Sequence, residues 1–137
     1  MATEVHLPVI TELPPANSFE MARVVEHGLP TASIEELKNL GLNFTEIAQI
    51  VIPPRTLKHR KARGERLSTE ETERFLRVVR VLELAERVFG NRDKSLSWLR
   101  TPDDRMENRT SLSLLITETG AKLVEGQLWG IAEGVYS

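Results

Sequence analysis

The stretch Asn43–Gly64, NFTEIAQIVIPPRTLKHRKARG, decides how the rest of this chain is read. Asn43 followed by Glu46 is a capping-box pair: the asparagine side chain accepts from the N3 amide while the glutamate reaches back, with Leu42 and Ile47 at staple positions. Phe44, Ile47, Ala48 and Val51 form the expected buried stripe of that helix. Pro53 stops it, and Pro54 falls where the first turn of a new helix tolerates proline. Gly64 is a natural C′ residue. Two short helices, about 44–51 and about 54–63, with a tight break at Ile52–Pro53 make a helix-turn-helix pattern.

The second helix is electrically out of character. The chain has a formal net charge of −2 and a pI of about 6.0. Residues 1–54 carry −5, residues 55–66 carry +5 and residues 67–137 carry −2. A local basic patch calls for a local anionic surface. The helix has little to bury beyond Leu57 and Ala62, so Leu57 is expected to anchor it and leave its polar side chains free. Arg55, Thr56 and His59, near the helix start, suit base contacts; Lys58 shares that free face. Arg60, Lys61, Arg63 and Arg66 suit phosphates. The plain alternative is a solvated basic face with no partner. The coincidence of the charge with the helix-turn-helix spacing favours DNA, and useful specificity then calls for a dimer.

Composition narrows the remaining classes. A chain of 137 residues has room for one domain or two small modules sharing a core. With 40% hydrophobic and 5% aromatic residues, that core is built from Leu, Val, Ile and Ala. The absence of Cys removes disulfides, thiolate zinc sites and cysteine nucleophiles. The opening MATEVHLPVITELPP is no signal peptide and no segment approaches a membrane span, so a cytoplasmic location is expected, with no membrane partner. His6, His27 and His59 are scattered, and no phosphate-binding or nucleophile-elbow motif is present. No enzymatic activity, metal or cofactor is expected.

Outward from the central stretch, the punctuation predicts an all-α fold. Residues 1–17 read as an extended or flexible segment. Ser18 caps a short helix with Phe19, Ala22 and Val25 inward, ended by Gly28 and Pro30. Ser33 and Glu36 fit a capping box for a helix burying Ile34, Leu37 and Leu40. Ser68 and Glu71 fit another, opening a long helix over 69–89 with Phe75, Val78, Leu82, Ala85 and Phe89 at three-to-four spacing. Its stripe is wide enough to bridge two modules or to dimerise. After Gly90 come a short helix around Leu96–Leu99, the loop TPDDRMENRT, and helices over Leu112–Ile116 and Thr117–Glu133 ended by Gly134. The expected division is 1–17, a DNA-binding module 18–66, a connecting helix 67–90 and a C-terminal module 91–137. In the last helix Gly126, Gly130 and Gly134 recur every four residues around Trp129. Interior glycines each cost roughly 1 kcal/mol relative to Ala, so either the helix tolerates them or another surface approaches closely at Gly126 and Gly130.

Three runs carry a resemblance: IPPRTLKHRKARGERLSTEETERFLRVVRVLELAERVFG (52–90), SWLRTPDD (97–104) and SLSLLITETGAKLVEGQLWGIAEGVYS (111–137). Together they resemble the Xre/MbcA/ParS antitoxins that partner Res-domain toxins. The resemblance implies an N-terminal Xre-like module that binds operator DNA and represses its own operon, and a C-terminal module that blocks an NAD-consuming Res toxin. It implies that the C-terminal end is directed into the toxin's active-site cleft, which nominates Trp129, Glu133, Val135, Tyr136 and Ser137. It would also give Gly126 and Gly130 a reason. Where the family has a Gly-rich loop and Pro-Leu, this chain has Asn108-Arg109-Thr110-Ser111-Leu112, and Ser111 is expected to start the following helix by N-capping. The expected partners are a Res-domain toxin, operator DNA and a second copy of the chain. The competing reading is a stand-alone helix-turn-helix regulator whose C-terminal module dimerises.

Overall fold

The computed structural model describes residues 13–134. Among them are α1 Phe19–His27, α2 Glu35–Asn39, α3 Phe44–Ile50, α4 Pro54–Ala62, α5 Thr69–Phe89, α6 Arg92–Arg100 and α7 Glu118–Ala132. Short 3-10 turns occupy Thr31–Ile34, Asp104–Met106 and Leu112–Ile116. The expected all-α architecture holds, with one small addition. Within the loop after α6, β1 (Pro102–Asp103) and β2 (Arg109–Thr110) pair antiparallel, Pro102 opposite Thr110 and Asp103 opposite Arg109.

Most helix starts follow from local chemistry. Ser18 Oγ accepts from the Met21 amide at 3.1 Å, and Thr117 Oγ1 from the Gly120 amide at 2.9 Å. Both bonds of a capping box form at Asn43/Glu46 and at Ser68/Glu71. Ser33 does otherwise. Pro30, in extended backbone, launches a 3-10 turn at Thr31, so Ser33 lies inside a turn already under way rather than at its cap. It is buried, and its Oγ has no hydrogen-bond partner among the described residues. Ser111 is likewise buried and makes no cap bond; the neighbouring Thr110 Oγ1 accepts from the Ser113 amide at 3.1 Å instead.

α5 is the axis of the molecule. It packs on α1, α6, α7 and the turn Leu112–Ile116. Its buried residues, Phe75, Val78, Val79, Val81, Leu82, Leu84 and Ala85 among them, cover more than one face. The wide stripe is therefore used within the chain: a single hydrophobic cluster runs from Leu29 and Leu37 through Phe75 and Val81 to Val124 and Leu128.

Two inward faces differ from expectation. Phe19 is 76% exposed and Ala22 is exposed, whereas Met21 is buried and Val24 packs against the core. Both stripes have helical spacing on α1, and docking on α5 selects the second. Phe44 is 59% exposed and lines a small groove with Ala48, Leu57 and Lys61, while Ile47, Ile50 and Val51 are buried. Ala62 is also exposed, so Leu57 is the apolar residue of α4 that packs on the core.

Candidate functional site

α3 and α4 are joined by a turn in which the amides of Val51 and Ile52 both donate to the Ile47 carbonyl, at 2.9 and 3.1 Å. Arg74 of α5 reaches across and donates from Nε to the Val51 carbonyl at 2.8 Å, satisfying an acceptor at the end of α3. Pro53 then holds extended backbone and Pro54 opens α4. The helix closes on Gly64, whose φ of 64° is left-handed; the Glu65 amide donates to the Arg60 carbonyl and the Gly64 amide to that of Lys61, a Schellman pair.

No residue of α4 is fully buried. Arg55, Lys58, His59, Lys61 and Arg63 are exposed and make no side-chain hydrogen bond or ion pair among the described residues; Thr56 is half-buried. At 100° per residue Arg55, Lys58 and His59 share one side, flanked by Lys61 and Arg63. This is the cationic face anticipated from the sequence.

Two of the nominated cations are engaged within the chain. Arg60 turns inward, with Nε 2.7 Å from Glu71 Oε1, Nη2 3.1 Å from Oε2, and Nη1 3.4 Å from Glu65. Arg66 donates from Nε to the Gly28 carbonyl at 2.6 Å. Burial alone would raise the Glu71 carboxyl, but the Arg60 hydrogen bonds and charge, with the Ser68 bonds, hold it below the usual carboxylate range. A signal for Arg60 was available: it lies three residues after Leu57, on the anchoring side of the helix. Nothing local marks Glu71 as its partner, eleven residues on.

The C-terminal region presents a different surface. Gly126, Trp129, Gly130 and Glu133 lie within one side of α7; Trp129 is 53% exposed, Gly126 and Glu133 are exposed and Gly130 is half-buried. Leu123, 49% exposed one turn earlier on that side, was not nominated and extends the apolar area. Val135, Tyr136 and Ser137 lie outside the described residues. Trp98 is tilted against Phe89, centroids 5.8 Å apart, beside an open cleft of about 660 Å³ that reaches Ile131. Among the described residues no three acidic or His side chains come together as a metal site, and no helix is long and apolar enough to cross a membrane.

Comparison with known proteins divides the chain along these two surfaces. Residues 20–80 match the model described as the antitoxin Xre-like helix-turn-helix domain, and residues 84–134 the antitoxin Xre/MbcA/ParS C-terminal toxin-binding domain. A relative named Antitoxin Xre from Pseudomonas putida is 33% identical over 119 residues, 87% of this chain and 75% of the relative. The chain belongs to the Xre antitoxin family. Xre antitoxins from Yersinia enterocolitica and Photorhabdus laumondii are also similar. The first is 39% identical over 87 residues, 63% of this chain and 59% of that protein. The second is 27% identical over 129 residues, 90% of this chain and 86% of that protein. As a member of the Xre family the chain joins a DNA-binding helix-turn-helix module to a helical toxin-binding module.

Proposed function

We propose that the chain is the antitoxin of a type II toxin–antitoxin pair whose toxin is an NAD-consuming Res-domain protein, and that it represses its own operon as a dimer. The observation that supports the DNA- and toxin-binding parts of this reading is the pairing, in one small fold, of a free cationic face on α4 with an exposed apolar and glycine-rich side of α7 in the toxin-binding region. The Res-type toxin is what the resemblance of the family-bearing runs implies. On α4, Arg55, Thr56 and His59 read bases while Lys58, Lys61 and Arg63 neutralise phosphates. On α7, Trp129 is the aromatic anchor, and Gly126 and Gly130 let the toxin surface approach the backbone. The end of the chain enters the toxin's active site, where Glu133, Val135, Tyr136 and Ser137 exclude substrate. Inhibition is steric and requires no chemistry from the antitoxin.

The test is to induce the product of the adjacent gene with and without this chain and to follow cellular NAD and growth. NAD should collapse with the toxin alone and be preserved on co-expression. If neither NAD nor growth responds, the Res assignment fails, and the exposed side of α7 becomes a contact between copies of a transcriptional regulator.

A further inference from the structure

The docking of α4 on the rest of the molecule poses a mechanical problem. Leu57 is its apolar anchor, and none of its residues is fully buried. Ile52 before the helix and Leu67 after it are buried and fix its ends, but within α4 a single apolar anchor restrains rotation about its own axis only weakly. Side-chain tips stand ~5–6 Å from a helix axis, so a roll of about 20° moves them by ~2 Å. That exceeds what a hydrogen bond to a base edge tolerates.

Arg60 supplies the missing second point. It lies three residues beyond Leu57, on the same side of α4 and away from Arg55, Lys58 and His59. Its guanidinium meets Glu71 through two bonds of 2.7 and 3.1 Å, the fork geometry that restrains direction as well as distance. Glu71 is itself held. Its side chain is 6% exposed, and Oε1 also accepts from the Ser68 amide at 2.7 Å in the capping box of α5. The clamp therefore refers the basic helix to the longest helix of the fold. Because Nη1 faces Glu65, each nitrogen of Arg60 is directed at a carboxylate.

We propose that Arg60 is a positioning residue: through Glu71 it sets the rotation of α4, and so the aim of the base-reading side chains, without contacting phosphate. This rests on the reading of α4 as the DNA-contacting helix. The two roles open to Arg60 predict opposite responses. Glu71→Gln keeps a capping acceptor but releases the arginine. A phosphate-binding Arg60 would then bind DNA better, and a positioning Arg60 would bind its site worse.

Binding of the full chain is measured to a duplex spanning the region upstream of its own gene and to a scrambled duplex of equal length, from about 50 to about 200 mM salt. Melting curves check the fold of each variant. Glu71→Gln and Arg60→Lys should each lose about ten-fold in preference for the upstream duplex, the equivalent of one well-made base contact, with the salt slope unchanged. Lys58→Ala should weaken both duplexes and reduce the slope by about 0.9. Tighter binding of both duplexes by Glu71→Gln, or wild-type preference in Arg60→Lys, overturns the proposal. If Glu71→Gln fails to fold, Arg60→Lys decides alone, since it leaves the capping box intact and keeps the charge. A Lys58→Ala variant that binds like wild type would instead overturn the assignment of α4 to DNA.

Discussion

At Gly126 a Cβ would meet nothing within 4 Å among the described residues, which do not themselves require glycine there. Gly120 is the opposite case. A Cβ at that position would collide with the Leu114 carbonyl, because the first turn of α7 is pressed onto the preceding 3-10 turn. The two glycines lie in one helix and are distinguished only by what surrounds them. Gly126→Ala should therefore raise the stability of the isolated antitoxin by up to about 1 kcal/mol, a few degrees in Tm. It should also weaken toxin binding if a partner backbone approaches there. Thermal melts of the chain alone and titration against the toxin separate the two effects, and unchanged toxin affinity would remove Gly126 from the interface. Arg60 teaches the same lesson about charge. Counted in the sequence it belongs to the cationic patch, but in the fold its charge is met by Glu71.

At the scale of elements, α4 and α7 differ in how they are held. α4 is a lightly attached helix with its cations outward, whereas Ala121, Val124 and Leu128 of α7 are fully enclosed against the core. The last turn of α7 contributes less. Ile131 is half-buried, and Ala132, Glu133 and Gly134 are exposed. Deleting residues 130–137 should therefore leave the fold and binding to the upstream duplex largely intact while abolishing toxin neutralisation. Full inhibition by the truncated antitoxin would rule out the tail as the blocking segment. Element boundaries were largely legible from the sequence: α5 spans the anticipated residues, and the proline break places α3 and α4 as expected. The hairpin β1–β2 was not legible, because a two-residue ladder leaves no periodicity to find.

At the scale of the whole molecule, the two modules are tied by more than apolar packing. Arg100 of α6 grips Glu46 through bonds of 2.7 and 2.8 Å and also donates to the Gly41 carbonyl at 2.8 Å. Arg92 donates to the Asn39 carbonyl at 2.8 Å. Glu46 is the capping-box carboxylate of α3, so α6 clasps the start of the helix-turn-helix. Burial alone would raise its carboxyl, but the Arg100 bond and charge and the Asn43 amide hold it below the usual carboxylate range, as happens for Glu71. A carboxyl lowered in the folded state adds stability that is complete above its unfolded value and is lost as pH falls through the folded value. Tm should therefore be level near neutrality and fall below about pH 4.3, the ordinary glutamate value. Glu46→Gln and Glu71→Gln should lower the neutral Tm and flatten that fall. An equally steep fall in both variants would show that these pairs do not govern acid stability.

What the sequence determined by itself was most of what is set by neighbours within about one helical turn, the caps expected at Ser33 and Ser111 excepted. This includes the caps at Ser18, Asn43 and Ser68, a helix start near Thr117, the stop at Pro53, the glycine ends, and the concentration of positive charge on one short helix. The family-bearing runs implied the two-module plan by resemblance. Tertiary structure decided what depends on distant partners. It selected Met21 and Val24 over Phe19 and Ala22 as the inner face of α1, and it placed Ser33 inside a turn and Phe44 at a groove. It also drew Arg60 inward and joined Arg100 to a glutamate 54 residues earlier. A helical pattern states which residues share a side; only packing against another element states which side faces in.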